Sequence, residues 1–148
     1  MSEPQLEANK EIVRRFLAAI DRHDADEVFE ILHPDHELEF PGNDEPMDRE
    51  GHWRLISGYH AAFNDMKHRP DLQVAEGDRV VTRGTILGTN TGSLHGQPAT
   101  GKSVRVQFMN MARIVDGRIC GLFSLLDSDT LKAQLGASEV HYVDETAS

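Results

Sequence analysis

An Asp116-Gly117 dipeptide separates two runs in which apolar and polar residues alternate, Val104 to Val115 and Arg118 to Asp127. Asp-Gly favours the two-residue turn that joins antiparallel strands, because both of its positions tolerate positive φ. The pattern therefore predicts a β-hairpin of two long strands. Since such a turn also fixes which residues face each other, this hairpin constrains the fold more than any other part of the chain.

One face of this hairpin is predicted to be apolar. The two-residue turn places Asn110 opposite Phe123 and Phe108 opposite Leu125, and on their face the polar residues are Asn110 and Asp127. A carboxylate in an apolar pocket has a raised pKa and can act as a general acid or base. Asp127 also directly precedes a helical segment, so capping that helix is an equally open role. For Asn110 the alternative is a hydrogen-bonded core amide.

The rest of the chain changes its periodicity once, near residue 68. Before that point apolar residues recur at helical spacing, and after it they alternate as in strands. Asp24 followed by Glu27 is a helix-start pattern, and Pro34 ends the helix that follows. Helices followed by antiparallel strands predict an α+β domain. The predicted elements are helices over about 6–22, 25–32, 49–66 and 128–135, and strands over 36–40, 71–75, 79–89, 104–115 and 118–127.

Length and charge exclude several classes of protein. The 148 residues fit one domain over 1–148, with a core over about 6–136 and a polar tail over 137–148. A formal net charge of −10 opposes contact with phosphate backbones, so we expect no nucleic-acid partner. The sequence shows no signal peptide and no apolar run of membrane-spanning length. We therefore expect a soluble, cytoplasmic protein with no membrane partner.

The sequence predicts no metal site. Cys120 is the single cysteine, which excludes a multi-cysteine site and an intramolecular disulfide framework. His33 and His36 flank Pro34 at a helix end, where helical spacing cannot bring the two rings together. Zinc requires three or four well-placed ligands, so we expect that this pair binds none.

The second face of the hairpin is mixed and predicts a subunit interface. Methionine and arginine are favoured at interface cores, and helices that cover one face of a sheet leave the other face available. We therefore expect a homodimer formed through the sheet, with a solvated face as the alternative. The residues of this face are Arg105, Gln107, Met109, Met111, Arg113, Cys120, Leu122 and Ser124.

Three further polar residues are candidates for a pocket. His60 shares an apolar helical stripe with Trp53 and is predicted to point inward, although a hydrogen-bonded core histidine is the commoner outcome. Arg83 lies inside a strand and could bind an anionic or carbonyl oxygen, or form a surface salt bridge. Glu39, next to Phe40, could be a second pocket carboxylate or a solvated strand end.

Several short segments, in order along about residues 6–136, resemble the SnoaL-like polyketide cyclase family. No single segment is diagnostic, but the ordered set is specific. The segments are Asn9–Phe16, His33–Asp35, Glu76–Val81, Gly88–Gly92, Gly96–Lys102, Arg113–Ile119, Asp127 and Gln134–Gly136.

This resemblance implies the nuclear transport factor 2-like fold, a cone in which a curved, mainly antiparallel sheet wraps around three N-terminal helices. Such proteins hold a pocket inside the cone and usually dimerise through the sheet. The resemblance also implies an intramolecular aldol cyclisation of a polyketide ester without metal or cofactor. An acidic residue acts as general acid and base in this family, and Asp127 matches that position.

Our leading hypothesis is a cofactor-free enzyme that acts on a small hydrophobic carbonyl compound. Asp127 is the expected acid/base, and Asn110 and His60 are expected to stabilise the developing oxyanion. The alternatives are a non-catalytic ligand-binding protein, a domain that serves only assembly, and isomerase or epoxide hydrolase activity on the same fold. The residues expected to line the pocket are Glu39, Phe40, Trp53, Tyr59, Arg83, Phe108 and Phe123.

Overall fold

The computed structural model describes residues 1–136, so the predicted tail over 137–148 lies outside the described residues. Five strands form one sheet in the order β1-β5-β4-β3-β2, antiparallel except for the pair β1 and β5. This confirms the predicted α+β fold of the nuclear transport factor 2-like type. The elements are α1 (Glu3–Asp21), α2 (Ala25–Ile31), β1 (Leu32–Glu39), α3 (Arg49–Ala62), β2 (Lys67–Glu76), β3 (Arg79–Thr89), β4 (Ser103–Val115), β5 (Arg118–Leu126) and α4 (Ser128–Leu135).

Each helix begins after a residue whose side chain accepts a hydrogen bond from the backbone of the first turn. Such a cap satisfies an N–H group that has no partner inside the helix. The predicted cap Asp24 accepts from the backbone N–H of Glu27, and the predicted end of α4 at Gly136 has the left-handed conformation. The four caps are Ser2, Asp24, Asp48 and Asp127.

The hairpin of β4 and β5 forms as predicted, but its register shifts. Asp116 and Gly117 both have positive φ, as the two-residue turn requires. Beyond a β-bulge, in which Cys120 is the extra residue, Asn110 pairs with Ser124 instead of the predicted Phe123. A bulge places two residues against one, and the turn sequence gives no sign of it.

This bulge reverses the two faces of β5. The inner residues of β4 are those predicted, but on β5 Leu122 is buried while Phe123 and Leu125 are exposed. A shift of one residue moves every side chain of a strand to the opposite face. The prediction that Phe123 lies inside and Leu122 outside is therefore wrong.

Three element boundaries also differ from the predicted ones. The strands β1 and β2 begin four residues earlier than predicted and contain Pro34 and Pro70. Both lie at the edges of the sheet, where the missing N–H of proline is tolerated. Helix α3 ends at Ala62 rather than near residue 66, because the Ala62 carbonyl accepts from the backbone N–H groups of Thr91 and Gly92.

The helices bury their apolar stripes against the inner face of the sheet. Val13, Phe16 and Leu17 of α1 belong to a core cluster with Phe108 and Ala112 of β4. A second cluster joins α4 to the end of α3 and to β4. No helix of the described residues is long and apolar enough to cross a membrane.

Candidate functional site

A cavity of about 340 Å³ lies between the inner face of the sheet and helices α1, α3 and α4. Its size falls within the range of small-molecule sites, and most of its wall is apolar. Of the residues predicted to line a pocket, the structure places four on this wall: Phe40, Tyr59, Phe108 and Asn110. Burial raises the pKa of the Tyr59 phenol, so this group stays neutral over a wide pH range.

Asn110 is the polar group at the centre of the inner face. Its side chain is 4 % exposed, and no group of the described residues hydrogen-bonds its Oδ1. A buried polar atom without a partner costs about 1–3 kcal/mol, so natural proteins retain few of them. The amide is therefore positioned to bind a polar group of a ligand in the cavity.

Asp127 does not lie in the cavity. Its Oδ1 accepts from the backbone N–H of Thr130 at 3.1 Å and its Oδ2 accepts from the Thr130 hydroxyl at 2.6 Å. These hydrogen bonds lower the pKa of the exposed Asp127 carboxyl, so the predicted raised pKa in an apolar pocket is wrong. The alternative role as cap of α4 is confirmed. Leu126 and Ser128, on either side, do line the cavity, so Asp127 lies at its rim.

His60 and Trp53 do not reach the cavity either. His23 stacks between them, with ring centroids 4.5 Å from Trp53 and 4.4 Å from His60. His23 is held there by a hydrogen bond with Ser57, 2.9 Å away. The inward face of α3 is rotated from the predicted stripe, and His52 takes the position on the cavity wall that was expected for Trp53 and His60.

Glu39, Arg83 and Phe123 lie on the outer face of the sheet. All three are exposed and none lines the cavity. Glu39 pairs with Phe123 across β1 and β5. Because the side chains of paired residues lie on the same face of a sheet, Glu39 points outward together with Phe123. Arg83 pairs with Met109, whose side chain also faces outward. The prediction that these three line the pocket is therefore wrong.

Two histidines that the sequence analysis did not place in the site form a buried pair. His36 Nε2 lies 2.9 Å from His52 Nδ1, and His52 lines the cavity. Burial lowers the pKa of His36 to about 4, and burial together with its neighbour His36 lowers that of His52 to about 3. Both rings are therefore neutral near pH 7, and His52 gives the wall a polar but uncharged edge.

A second unpredicted pair joins α1 to β2. Asp21 accepts from the backbone N–H of His68 through Oδ2 at 2.7 Å, and its Oδ1 lies 2.6 Å from Nδ1 of His68. His68 lines the cavity and meets the Phe108 ring edge to face. One sequence signal was available: a carboxylate in the last turn of a helix is disfavoured by the helix dipole, which indicates a specific partner for Asp21.

Within residues 1–136, no three histidine, cysteine, aspartate or glutamate side chains are grouped to hold a metal ion. His33 and His36 illustrate this, since His36 bonds to His52 while His33 accepts a hydrogen bond from the backbone of Asp35.

Comparison with known sequences identifies relatives over most of the chain. The family profile described as SnoaL-like polyketide cyclase matches residues 10–135. The aklanonic acid methyl ester cyclase DnrD of Streptomyces peucetius is 30 % identical over 116 residues, which cover 74 % of this chain and 77 % of DnrD.

Solved structures share the fold over nearly their whole length. IdmH of Streptomyces antibioticus, provisionally described as a polyketide cyclase, is 31 % identical with a TM-score of 0.79, covering 87 % of this chain and 99 % of IdmH. AclR of Streptomyces galilaeus, provisionally described as a hydroxylase, is 25 % identical with a TM-score of 0.80, covering 88 % of this chain and 97 % of AclR. The same fold thus accompanies more than one named activity.

Proposed function

The chain belongs to the SnoaL-like polyketide cyclase family, and on that premise we propose that it closes a ring in a small hydrophobic carbonyl compound by intramolecular aldol chemistry. The observation that carries the proposal is the Asn110 amide, buried on an apolar cavity with its oxygen unpartnered. DnrD, which is named for the cyclisation of aklanonic acid methyl ester, supports the choice of reaction and supplies a test substrate.

The proposed reaction needs two proton transfers. A base removes a proton from the carbon next to one carbonyl, the enolate forms a carbon–carbon bond to a second carbonyl, and the new alkoxide takes up a proton. Substrate and product then have the same composition, so the step consumes no oxidant or reductant. The Nδ2 group of Asn110 would donate a hydrogen bond to the developing oxyanion, and its unpartnered Oδ1 would accept one from a hydroxyl of the substrate or product.

Asp127 is the proposed acid/base group, because it matches the family position and lies at the rim of the cavity. A bound substrate that displaces Thr130 and covers the carboxylate removes the hydrogen bonds that lower its pKa. In the ligand-free structure the Asp127 carboxylate is occupied by its hydrogen bonds from Thr130, and this observation favours the second candidate function, a binding protein without catalysis.

The variant Asp127→Asn separates these two roles, because asparagine caps a helix as well as aspartate but carries no exchangeable carboxyl proton. With aklanonic acid methyl ester, we expect wild-type protein to yield a product of unchanged mass and altered retention. The variant should lose about 10²–10⁴-fold in rate at an unchanged melting temperature. Unchanged turnover would limit Asp127 to capping, and binding without any product in the wild type would favour the non-catalytic candidate.

A second copy of the chain is the proposed partner on the outer face of the sheet. Aligned residues of four strands form two rows there, and Met109 and Met111 are 41 % and 43 % exposed. Contiguous apolar surface of this kind marks interfaces. The two rows are Val74, Val81, Met111 and Phe123, and Leu72, Arg83, Met109 and Leu125.

Met111→Glu is expected to convert this dimer into monomers, because each copy would bring a carboxylate into the centre of the rows that the dimer buries. Sedimentation velocity measures the change, with the exposed helix variant Ala61→Glu as control. A monomeric wild type, or a Met111→Glu variant that remains dimeric, would contradict an interface on this face.

A further inference from the structure

The side chain of His68 lines the cavity. Its Nδ1 lies 2.6 Å from a carboxylate oxygen of Asp21, and a carboxylate can only accept. In the neutral form of the ring the proton is therefore on Nδ1, which leaves Nε2 as an acceptor. No group of residues 1–136 hydrogen-bonds to this Nε2.

We infer that the Asp21–His68 pair anchors a hydroxyl group of the ligand, with Nε2 of His68 accepting the hydroxyl proton in a hydrogen bond. This rests on the proposed function in one respect, that the ligand occupies this cavity. The ligand class is accordingly an elongated hydrophobic carbonyl compound that carries a phenolic or enolic hydroxyl at the end remote from the carbonyl.

Asp21 makes one more contact with His68 than is needed to join α1 to β2. Its bond to the backbone N–H of His68, at 2.7 Å, already ties the helix to the strand. The second carboxylate oxygen fixes the ring and its tautomer instead, the role that such partners play beside functional histidines. Asp21 does this from the last turn of α1, where a carboxylate is electrostatically unfavourable.

The strand register separates the backbone of the anchor from that of Asn110 along the inner face of the sheet. His68 pairs with Ile86 of β3, whereas Asn110 pairs with Thr82, four residues further along the same strand. At about 3.3 Å per residue this offset is roughly 13 Å along the strand. A ligand that bonds to both groups must therefore be elongated, with its carbonyl near Asn110 and its hydroxyl near His68.

Two probes test the anchor: 6-hydroxy-2-acetonaphthone, which carries a carbonyl and a hydroxyl at opposite ends, and its methyl ether, which cannot donate. We expect the wild-type protein to bind the hydroxyl compound about 10–100-fold more tightly by fluorescence titration. The absorption band of the bound hydroxyl compound should also shift to longer wavelength, because its hydroxyl shares a proton with the imidazole.

The variant Asp21→Asn should abolish both the preference and the absorption shift. Its amide oxygen keeps the bond to the backbone N–H of His68, so its NH₂ group must donate to Nδ1 and move the ring proton to Nε2. The cavity nitrogen then donates instead of accepting. His68→Phe should remove the preference while keeping a ring. Asp35→Asn, which changes an exposed carboxylate beside His33, is the matched control.

The outcomes separate the anchor from the cavity function. Wild-type binding of both probes with equal affinity and no absorption shift would overturn the anchor and leave the proposed function standing. Binding of neither probe would count against both. If His68→Phe fails to fold, Asp21→Asn decides, and an unchanged preference in that variant would overturn the anchor.

Discussion

Replacing Asn110 with leucine is expected to make the protein more stable and, at the same time, inactive. Leucine has nearly the same shape, and it removes a buried amide oxygen that has no hydrogen-bond partner. We expect a gain of about 1 kcal/mol in the free energy of unfolding. Loss of an oxyanion donor should lower turnover of aklanonic acid methyl ester about 10²–10³-fold.

Asn90 supplies the matched control for this change. It is equally buried, but its amide donates to the carbonyls of Ala62 and Gly92 and accepts from Thr100. Asn90→Leu is therefore expected to destabilise the protein by about 3 kcal/mol, because several buried partners lose their hydrogen bonds. Urea denaturation and the ring-closure assay together check both variants. An Asn110→Leu protein that is less stable than wild type would show that the amide is a structural group.

Replacing Gly84 with alanine is expected to destabilise the fold by about 3 kcal/mol. A Cβ atom at this position would meet the backbone carbonyl oxygen of Arg69 and would lie 2.6 Å from the ring of Phe108. Neither group can move freely, since one belongs to the paired strand and the other to the cavity wall. Because Gly84 has no side chain, the Phe108 ring can lie against the sheet at this position and contact His68.

Gly58 is the control glycine, because a Cβ atom there has no neighbour within 4 Å. It lies exposed inside α3, where alanine should stabilise the protein by about 0.5–1 kcal/mol. Chemical denaturation of the two alanine variants gives both values. Equal stability of Gly84→Ala and the wild type would contradict the packing described for Phe108.

The sequence predicted the order of the elements because periodicity, caps and turns are local properties. The Asp116-Gly117 turn and the cap at Asp24 depend on neighbours within a few residues. The bulge at Cys120 depends on how β5 pairs with the neighbouring strands of the sheet, and it reversed the assignments of Leu122 and Phe123. The sequence therefore could not predict which side chains of β5 face inward beyond the bulge, whereas its assignments for β4 were correct.

The polar groups of the site were harder to predict, because they meet across long separations in the chain. Asp21 and His68 are 47 residues apart, and Pro70 concealed the strand on which His68 lies. Helix α3 shows the limit of an apolar stripe. Trp53 was expected on the cavity, but it packs against His23 while His52, one residue earlier, lines the wall.

The measurement that tests the central claim most directly is the crystal structure of the chain with aklanonic acid methyl ester bound. The account predicts that the ester lies inside the cavity between helices α1, α3 and α4, with a carbonyl oxygen within hydrogen-bond distance of the Asn110 amide. An ester bound elsewhere on the protein, with the cavity vacant at saturating ligand, would contradict it.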